Sequence, residues 1–318
     1  MDSKILITGV AGFIGSSLAE NLLTSSKCAI AGIDVFTDFY NPQFKKANLS
    51  RLKKYANFEF FETDIRNEKA MENIFSRFSP QVVVHLAALT GVRTSFKFPA
   101  QYTEVNIEGT RTLAQIASKH RIQTFVFASS SSVYGTTHRV PFQENQKLKP
   151  MSPYAKTKLE GEKILLRFSK NRNLPVTILR LFSVYGPNGR PDMAPYLFTE
   201  AAFTGREIAQ FGDGTSARDY TYIEDVVCAF ESAIKHKQAI EIINIGNSSP
   251  TPLSKLVQIV EHQANHKINI VIKPVNPGES YVTYADIKRA KKILQWEPRI
   301  SFVQGMRKFI SWYKLHRL

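Results

Sequence analysis

The sequence predicts an α/β protein: a doubly wound parallel sheet with helices on both faces, followed by a smaller C-terminal α/β domain. Three observations support this prediction. Short apolar runs alternate with helical patterns along the first part of the chain. A glycine-rich turn joins the first apolar run to the first helical pattern. The length of 318 residues allows a sizeable core, in one large or two linked domains.

The first strand is predicted over Lys4–Gly9, and Gly9, Gly12 and Gly15 then lead into a helix. In such a turn the first glycine permits a tight bend, the second lets the backbone approach a diphosphate, and the third lets the helix pack closely on the strand. The N-terminus of the helix then offers free N–H groups to phosphates. The alternative is a structural turn that binds no nucleotide.

The second strand is predicted over Ala29–Asp34 and the third over Phe58–Glu62. Asp34 follows the glycine turn by about twenty residues, where an acid accepts hydrogen bonds from a ribose. A carboxylate there repels a 2′-phosphate, so NAD is favoured over NADP. Asp64 and Ile65 come just after the third strand, where an adenine would lie.

The fourth strand is predicted over Gln81–Ala88, and the small side chains of Ala87 and Ala88 leave room for a cofactor. His85 lies inside this apolar run, which favours a hydrogen-bonded core histidine over a catalytic base. A helix is predicted to follow from Asn106 to His120.

The fifth strand, Thr124–Ala128, brings the serines Ser129–Ser132 to its carboxyl end, the edge where open α/β sheets bind ligands. Pro153 is suited to the first turn of the next helix. Val176–Leu181 is predicted as the sixth strand.

Tyr154 and Lys158 are four residues apart and therefore share one face of that helix. An ammonium near a phenol stabilises the phenolate and lowers its pKa. A tyrosine of this kind can take a proton from a sugar hydroxyl near neutral pH. The spacing alone is also typical of an ordinary surface helix, so the interpretation depends on the serines and the glycine turn.

The pattern changes after Phe182, because Ser183–Gly214 is rich in Gly and Pro and contains one amphipathic stretch, Met193–Thr204. Residues 224–248 return to helix and strand, and the tail from Thr251 reads as helix, strand and helix. We therefore expect two domains that are discontinuous in sequence, with residues 1–182 and 224–248 in the first and residues 183–223 and 249–318 in the second.

The composition is that of a soluble globular protein, with 43% hydrophobic and 22% charged residues. Cys28 and Cys228 cannot form a disulfide framework, and no Cys/His cluster has the spacing of a metal site. No apolar run reaches eighteen residues, and the N-terminus lacks the organisation of a secretion signal. These features predict a cytoplasmic protein with no membrane span and no metal.

The net charge of +15 raises the alternative of a nucleic-acid or membrane-surface partner. The basic residues are dispersed along the chain, however, and no series of stacking aromatics is interleaved with them. We therefore expect solvated helix faces and attraction for an anionic substrate, and no nucleic-acid partner.

Taken together, seven motifs resemble the nucleotide-sugar epimerase/dehydratase family of extended short-chain dehydrogenases/reductases, and the likeness runs from Lys4 to about Tyr313. The resemblance implies a Rossmann-type fold and bound NAD. Residues 186–193 are most similar to the UDP-glucuronate 4-epimerases of the family. The motifs are Gly9–Gly15, Asp64–Ile65, His85–Ala88, Ser129–Gly135, Tyr154–Lys158, Arg180–Pro187 and Arg218–Ile223.

The resemblance implies a role for each site residue. Tyr154 deprotonates the sugar O4, Lys158 binds the nicotinamide ribose and lowers the tyrosine pKa, and Ser130 hydrogen-bonds O4 and the transient 4-ketone. The implied cofactor-binding residues are Gly9, Gly12, Phe13, Ile14, Gly15, Asp34, Asp64, Ile65, Leu86, Ala87, Ala88, Asn106, Tyr154 and Lys158. The implied substrate-binding residues are Ser131, Ser132, Ser183, Arg190, Arg218 and Glu279.

Several positions bear on the reaction and the substrate. Sugar 4,6-dehydratases of the family carry an acidic pair where this chain has Ser131 and Ser132, which disfavours dehydration. Arg190 is a donor fork suited to a carboxylate, although a loop-stapling role is the alternative. Arg218 matches a diphosphate-binding arginine. Glu279 stands where the family has Asp.

These observations predict an NAD-dependent 4-epimerase of a UDP-sugar, with UDP-glucuronate and UDP-galacturonate as the favoured substrates, and the resemblance implies a homodimer. One alternative is 4-epimerisation of UDP-glucose or UDP-N-acetylglucosamine. Others are a net dehydrogenase or decarboxylase, and a dinucleotide-binding sensor or RNA-binding protein without catalysis. The presence of Ser130, Tyr154 and Lys158 together argues against the last alternative.

Overall fold

The computed structural model describes residues 3–37, 41–137, 139–236, 240–275 and 280–318. A seven-stranded sheet in the order β3-β2-β1-β4-β5-β6-β10 forms its centre, and every pairing within it is parallel. The strands of the chain are β1 (Lys4–Thr8), β2 (Ala29–Asp34), β3 (Phe58–Glu62), β4 (Val82–His85), β5 (Thr124–Ser130), β6 (Val176–Leu181), β7 (Ser183–Tyr185), β8 (Ile208–Phe211), β9 (Ala217–Tyr222), β10 (Ile240–Ile245), β11 (Pro250–Pro252) and β12 (Ile270–Lys273).

Helices connect the strands and cover both faces of the sheet. They are α1 (Phe13–Ser25), α2 (Gln43–Leu52), α3 (Glu68–Phe78), α4 (Val92–Lys97), α5 (Pro99–Tyr102), α6 (Gly109–Lys119), α7 (Pro153–Arg172), α8 (Ala194–Thr204), α9 (Ile223–Lys235), α10 (Leu253–Ala264) and α11 (Phe302–Arg317). Two π-helical turns, Thr103–Glu108 and Ala290–Leu294, and a 3₁₀ turn, Ser131–Tyr134, complete the regular structure of the described residues.

The two faces of the sheet bury two separate clusters of side chains. Ile5 of β1 packs into one cluster with α1 and α9, and the next residue, Leu6, packs into the other with α3, α6 and α7. Successive residues of a strand point to opposite faces. A strand that is apolar throughout is therefore expected in a parallel sheet covered on both sides, and the predicted doubly wound fold is confirmed.

The second, third and sixth strands have the predicted bounds. The fourth does not, because β4 ends at His85 and residues 86–88 continue as a loop. β1 supplies the neighbouring pairing edge, and it ends at Thr8, which is paired with His85. Beyond His85 the chain therefore has no partner strand on the β1 side, and it leaves the sheet as a loop.

The helix predicted from Asn106 to His120 also needs correction. Residues 103–108 form a π-helical turn, and the α-helix begins only at Gly109. The Asn106 amide is held in this turn by Leu89 and Thr157, which lie on two other segments. Widened turns of this kind are frequent beside functional sites.

After β6 the chain leaves the central sheet and then returns to it. β7, β8 and β9 lie outside the main sheet, whereas β10 pairs with β6 along Ile240–Ile245. The C-terminal tail contributes β11 to β9 and β12 to β8. The segment 183–223 and the tail are therefore joined by strand pairing at the carboxyl end of the sheet.

Candidate active site

The glycine turn is packed against the loop after β4. Gly9 has φ +73°, and a Cβ on it would lie 2.7 Å from the backbone nitrogen of Ala87. A Cβ on Gly15 would lie 2.2 Å from the carbonyl oxygen of Gly9. Both positions exclude a side chain, so the first turn of α1 closes directly on β1 and leaves a concave backbone surface at its N-terminus.

Asp34 ends β2 with a buried carboxylate beside this turn. Its Oδ2 accepts from the backbone N–H of Ala11 (2.9 Å), and its Oδ1 accepts from the N–H of Val35 (2.8 Å) and from Lys45 Nζ (2.7 Å). A carboxylate has about four lone-pair directions, so these bonds orient it and leave capacity for hydroxyl donors. The contribution of Lys45, on α2, was not foreseen from the sequence.

Asp64 and Ile65 follow β3 at the same edge. Asp64 accepts from the side chain and the backbone of Arg66. Burial acts to raise the Asp64 pKa, but these hydrogen bonds and the Arg66 charge hold it below its usual value. Ile65 packs so closely on α6 that a Cβ on Gly109 would lie 2.4 Å from its Cδ1.

Helix α7 carries the tyrosine and the lysine. Pro153 occupies its first turn, and the Ser152 side chain caps it by accepting from the N–H of Ala155 (3.1 Å). The Ser130 side chain, at the end of β5, lies near the Tyr154 hydroxyl and acts to lower its pKa. Lys158 Nζ donates to the carbonyl of Ala128, also on β5 (2.8 Å). The strand and the helix thus bring the three predicted catalytic residues together.

The pKa of Tyr154 is raised above its ordinary value, whereas a lowered pKa was expected from the sequence. Burial raises the pKa of Tyr154, while the Ser130 side chain and the charge of Arg190 act to lower it. Burial lowers the pKa of Lys158 to about 8, against a raising contribution from Glu162. The raised Tyr154 pKa follows from burial, and Ser130 and Arg190 are the groups that oppose it, so the effect of Lys158 on the tyrosine stays a prediction.

Ser130 is itself held by the 3₁₀ turn that follows β5. Its Oγ accepts from the backbone N–H of Ser132 (3.2 Å), and the Ser132 hydroxyl lies 2.9 Å away as a further donor. Ser131 and Ser132 both line the cavity in front of Tyr154.

Arg190 enters the cavity from the loop between β7 and α8. Its guanidinium donates from Nε to Asp192 Oδ1 (2.9 Å), from Nη2 to Asp192 Oδ2 and from Nη1 to Thr90 Oγ1. The arginine side chain is 18% exposed. The structure therefore combines both interpretations of Arg190, because the residue staples two loops and also lines the cavity.

Tyr102 supports Thr90 from behind. Its hydroxyl donates to the carbonyls of Thr90 and Gly91, and its ring packs edge-on to the Tyr154 ring with centroids 6.3 Å apart. Thr90, Asp192 and Tyr102 were not singled out from the sequence. No spacing pattern links them, since they lie on three separate segments.

The far end of the cavity is formed by the smaller sheets. Arg218 on β9 donates from Nη1 to the carbonyls of Ala217 (3.0 Å) and Tyr281 (3.4 Å). The Arg93 guanidinium lies 4.1 Å from the ring centroid of Phe211 on β8. This cation–π contact joins helix α4 to strand β8, and both residues line the cavity.

One continuous cavity of about 890 Å³ connects the glycine turn to this far end. The predicted residues that line it are Gly9, Gly12, Phe13, Ile14, Gly15, Asp34, Asp64, Ile65, Leu86, Ala87, Ala88, Ser130, Ser131, Ser132, Tyr154, Lys158, Ser183, Arg190 and Arg218. Asn106 does not line it, because its amide bonds Leu89 and Thr157 behind the wall. Glu279 lies outside the described residues.

His85 is a core residue, as predicted. Its Nδ1 pairs with Thr8 Oγ1 (2.8 Å) and its Nε2 with Thr110 Oγ1 (2.9 Å). Burial, with the nearby Lys158 charge, lowers its pKa to about 3. A neutral imidazole between two threonine hydroxyls connects β1, β4 and α6 and takes no part in acid–base chemistry near neutral pH.

Across the described ranges, no group of three His, Cys, Asp or Glu side chains is placed to hold a metal ion. Over the same residues, no helix is both long enough and apolar enough to cross a bilayer.

Comparison with known proteins identifies relatives over almost the whole chain. The family model described as GDP-mannose 4,6 dehydratase matches residues 6–309. A UDP-glucuronate 4-epimerase of Thermodesulfobacterium geofontis is 39% identical over 311 residues, which cover 97% of this chain and 95% of that protein.

Solved structures give the same result. The UDP-glucuronic acid 4-epimerase from Bacillus cereus, in complex with UDP-glucuronic acid and NAD, aligns with a TM-score of 0.93 at 35% identity, covering 98% of this chain and 99% of that one. The UDP-glucose 4-epimerase from Thermotoga maritima, with UDP-glucose, aligns with a TM-score of 0.91 at 32% identity over 98% and 99% of the two chains.

Proposed function

This chain belongs to the GDP-mannose 4,6-dehydratase family of extended short-chain dehydrogenases/reductases, and we propose that it is an NAD-dependent 4-epimerase that interconverts UDP-glucuronate and UDP-galacturonate. The observation that carries the proposal is the juxtaposition of Ser130, Tyr154, a buried Lys158 and the Arg190 fork in one cavity.

The residues of the cavity fit NAD. The backbone surface at Gly9 and Gly15, which any side chain would fill, suits a diphosphate at the N-terminus of α1. Asp34, oriented by Ala11 and Lys45, is placed to accept from the adenosine ribose hydroxyls. Ile65 and the small Ala87 and Ala88 would border the adenine and the diphosphate, and Lys158 would donate to the nicotinamide ribose. When bound, NAD supplies a hydride acceptor that is regenerated within each cycle.

In the mechanism that this geometry supports, Tyr154 acts as general base on the sugar O4. Ser130 and Tyr154 line the same cavity, and we propose that both side chains contact O4 there. As the C4 hydrogen leaves with its electron pair, the C4–O4 bond becomes a ketone, and Ser130 donates to the oxygen on which negative charge grows.

The second half of the reaction reverses these steps on the other face of the sugar. The 4-keto sugar rotates, C4 regains the hydride, and Tyr154 returns the proton to O4. Tyr154 therefore holds the O4 proton between the two halves, and the first half requires the tyrosine as phenolate, a form that the Ser130 and Arg190 side chains favour by lowering its pKa against the effect of burial.

We propose that the substrate is a uronate because Arg190 faces the same cavity as the serine turn. Arg190, Ser183 and the pair Ser131 and Ser132 would hold the C6 carboxylate, and Arg218 would bind the diphosphate. The relative of known structure that binds UDP-glucuronic acid supports this substrate. The relative that binds UDP-glucose keeps the neutral hexose as the second candidate.

Three further features are proposals that follow from the family resemblance. We propose the domain division 1–182 with 224–248 and 183–223 with 249–318, which the pairing of β11 with β9 and of β12 with β8 supports. We also propose a homodimer and a cytoplasmic location. Light scattering on the purified protein would test the homodimer.

The experiment that tests the function is incubation of purified protein with a panel of UDP-sugars, without added NAD. We expect equilibration of UDP-glucuronate with UDP-galacturonate. Preferred turnover of UDP-glucose or UDP-N-acetylglucosamine would replace the uronate with the hexose candidate. Stoichiometric reduction of added NAD would identify a net dehydrogenase instead.

A further inference from the structure

Helix α7 presents three polar side chains to strand β5, one helical turn apart: Tyr154, Lys158 and Glu162. Three consecutive residues of β5 receive them. The Ser130 side chain lies near the Tyr154 hydroxyl, the Ala128 carbonyl accepts from Lys158, and the Ser129 hydroxyl donates to Glu162 Oε1. Tyr154 and Lys158 have proposed roles in the reaction, whereas Glu162, the third of these side chains, has none.

Glu162 is 1% exposed and is paired with an equally buried arginine, Arg180 of β6, which is 2% exposed. Arg180 Nε donates to Glu162 Oε1 (3.0 Å) and Arg180 Nη2 to Glu162 Oε2 (2.8 Å), a bidentate pair. The remaining Arg180 nitrogen donates to the Tyr134 hydroxyl (3.0 Å) and to the Glu144 carbonyl (3.1 Å). Every group in this arrangement is therefore satisfied.

A buried ion pair is weak evidence for a purely stabilising role, because desolvation of two charges offsets most of their attraction. This pair lies directly beneath the active-site lysine. The charged or titratable groups around Lys158 are Glu162 and Tyr154 on its own helix, His85 on β4, and Arg180 on β6 beyond Glu162. Because burial keeps His85 neutral near neutral pH, Glu162 is the anion that opposes the burial of the ammonium.

We propose that Glu162 is a positioning residue of the catalytic apparatus: held by Arg180, it fixes the register of α7 against the serine end of β5 and keeps Lys158 protonated at working pH. The proposal rests on the proposed function of Lys158 and Tyr154. It assigns opposite electrostatic effects to the two members of the pair, since Glu162 stabilises the ammonium and Arg180 destabilises it.

The test compares Glu162→Gln with Arg180→Gln through the pH dependence of kcat, measured on whichever UDP-sugar the protein turns over. Glutamine keeps the size of Glu162 and removes its charge; it also replaces one of the two acceptor oxygens with an amide donor, so only one of the two Arg180 contacts can be kept. The alkaline fall of kcat should move to lower pH in Glu162→Gln by about one pH unit or more, the scale expected for neighbouring unit charges at an effective dielectric constant of about 20. In Arg180→Gln it should move to higher pH.

Glu160→Gln is the matched control. Glu160 lies on the same helix, is paired with Lys163 at the surface, and is 30% exposed. Its replacement should leave the pH profile unchanged. Movement of the alkaline limb in the same direction in both Glu162→Gln and Arg180→Gln, or a fall in kcat with no movement, would overturn the proposal and leave the pair a structural one.

Two further variants keep the test decisive. If Glu162→Gln alone does not fold, the double variant with Arg180→Gln must show its alkaline limb at lower pH than Arg180→Gln alone, and a coincident limb would overturn the proposal. Lys158→Met separates the two levels of inference. Retained turnover in Lys158→Met would overturn the proposed catalytic site itself, whereas inactive Lys158→Met with an unmoved limb in Glu162→Gln would overturn only the role of Glu162.

Discussion

Replacement of Arg190 by alanine tests how the protein distinguishes a uronate from a neutral hexose. Arg190 is mostly buried at the cavity wall and directs its fork at Asp192 and Thr90. If it holds the C6 carboxylate, Arg190→Ala should remove most of the preference for UDP-glucuronate over UDP-glucose. Turnover of UDP-glucose should fall much less than turnover of UDP-glucuronate, because only the loss of the Arg190 charge near Tyr154 and of its contacts with Thr90 and Asp192 affects both substrates.

The magnitude follows from the type of contact. A charge-assisted hydrogen bond in a partly desolvated site contributes about 1.5–3 kcal/mol, which corresponds to a factor of about ten to over a hundred in specificity. The lower part of the range is the better expectation here, because Arg190 already pairs with Asp192, whose side chain is 54% exposed. The net binding free energy of a substrate carboxylate is therefore the difference between its contact with Arg190 and the part of the Arg190–Asp192 pairing that it displaces.

The assay is the ratio of kcat/KM for UDP-glucuronate to kcat/KM for UDP-glucose, in the unmodified protein and in the variant. Arg206→Ala is a suitable control, because Arg206 pairs with Glu200 on the surface, outside the cavity lining. Equal loss of both rates in Arg190→Ala would mean that the arginine holds the loop or the diphosphate. A preference for UDP-glucose in the unmodified protein would refute the uronate assignment.

The same variant should also release more carbon dioxide. Oxidation at C4 makes a β-keto acid of the uronate, which can lose its carboxylate when the breaking bond aligns with the ketone. A carboxylate held by Arg190 and Ser183 would be kept out of this alignment. The measurement is the release of ¹⁴C-labelled carbon dioxide from substrate labelled at C6, and unchanged release would contradict the positioning role.

Two further predictions concern the base and the cofactor. Tyr154→Phe keeps the ring but removes the hydroxyl, so turnover should fall by roughly 100-fold or more while UDP affinity measured by calorimetry is kept. Near-normal turnover would remove Tyr154 from the mechanism. Cofactor released by heating the purified protein should be NAD, because the Asp34 carboxylate repels a 2′-phosphate; recovery of mainly NADP by chromatography would show that Lys45, paired with Asp34, dominates the charge at this position.

The strands of the central sheet were predictable because their apolar runs are bounded by glycine, polar residues or proline. β2, β3 and β6 were located to the residue. Where the limits were wrong, tertiary pairing decided them: β4 ends where β1 ends, although its apolar pattern continues to Ala88. The widened turn at Asn106 similarly depends on contacts with Leu89 and Thr157.

The part of the site that is formed by sequence motifs was predictable. Local motifs place Ser130, Tyr154 and Lys158 at one sheet edge, because carboxyl ends of parallel strands meet there. Side-chain partners from distant segments were not predictable. Thr90 holds Arg190 from the loop after β4, a hundred residues earlier in the chain, whereas Asp192 lies two residues after Arg190 in the same loop. The contact between the Lys158 ammonium and the Ala128 carbonyl was likewise not predictable from spacing.

The Glu162–Arg180 pair shows which signal was present but not used. Glu162 lies four residues after Lys158, hence on the same buried face of α7. Arg180 interrupts the apolar run of β6, a strand whose six residues are all buried. A charged residue on a buried face of one element and another inside an apolar strand are together a signal for a buried ion pair.

The claim that C4 is oxidised and reduced within a single binding event is tested most directly with UDP-glucuronate carrying deuterium at C4. The purified protein is incubated with this substrate in ordinary water without added NAD, and the product is analysed by proton NMR and mass spectrometry. The account predicts UDP-galacturonate that retains the deuterium at C4. Epimerised product that has lost the label to solvent would contradict it, because the hydrogen would then have left as a proton and not as a hydride.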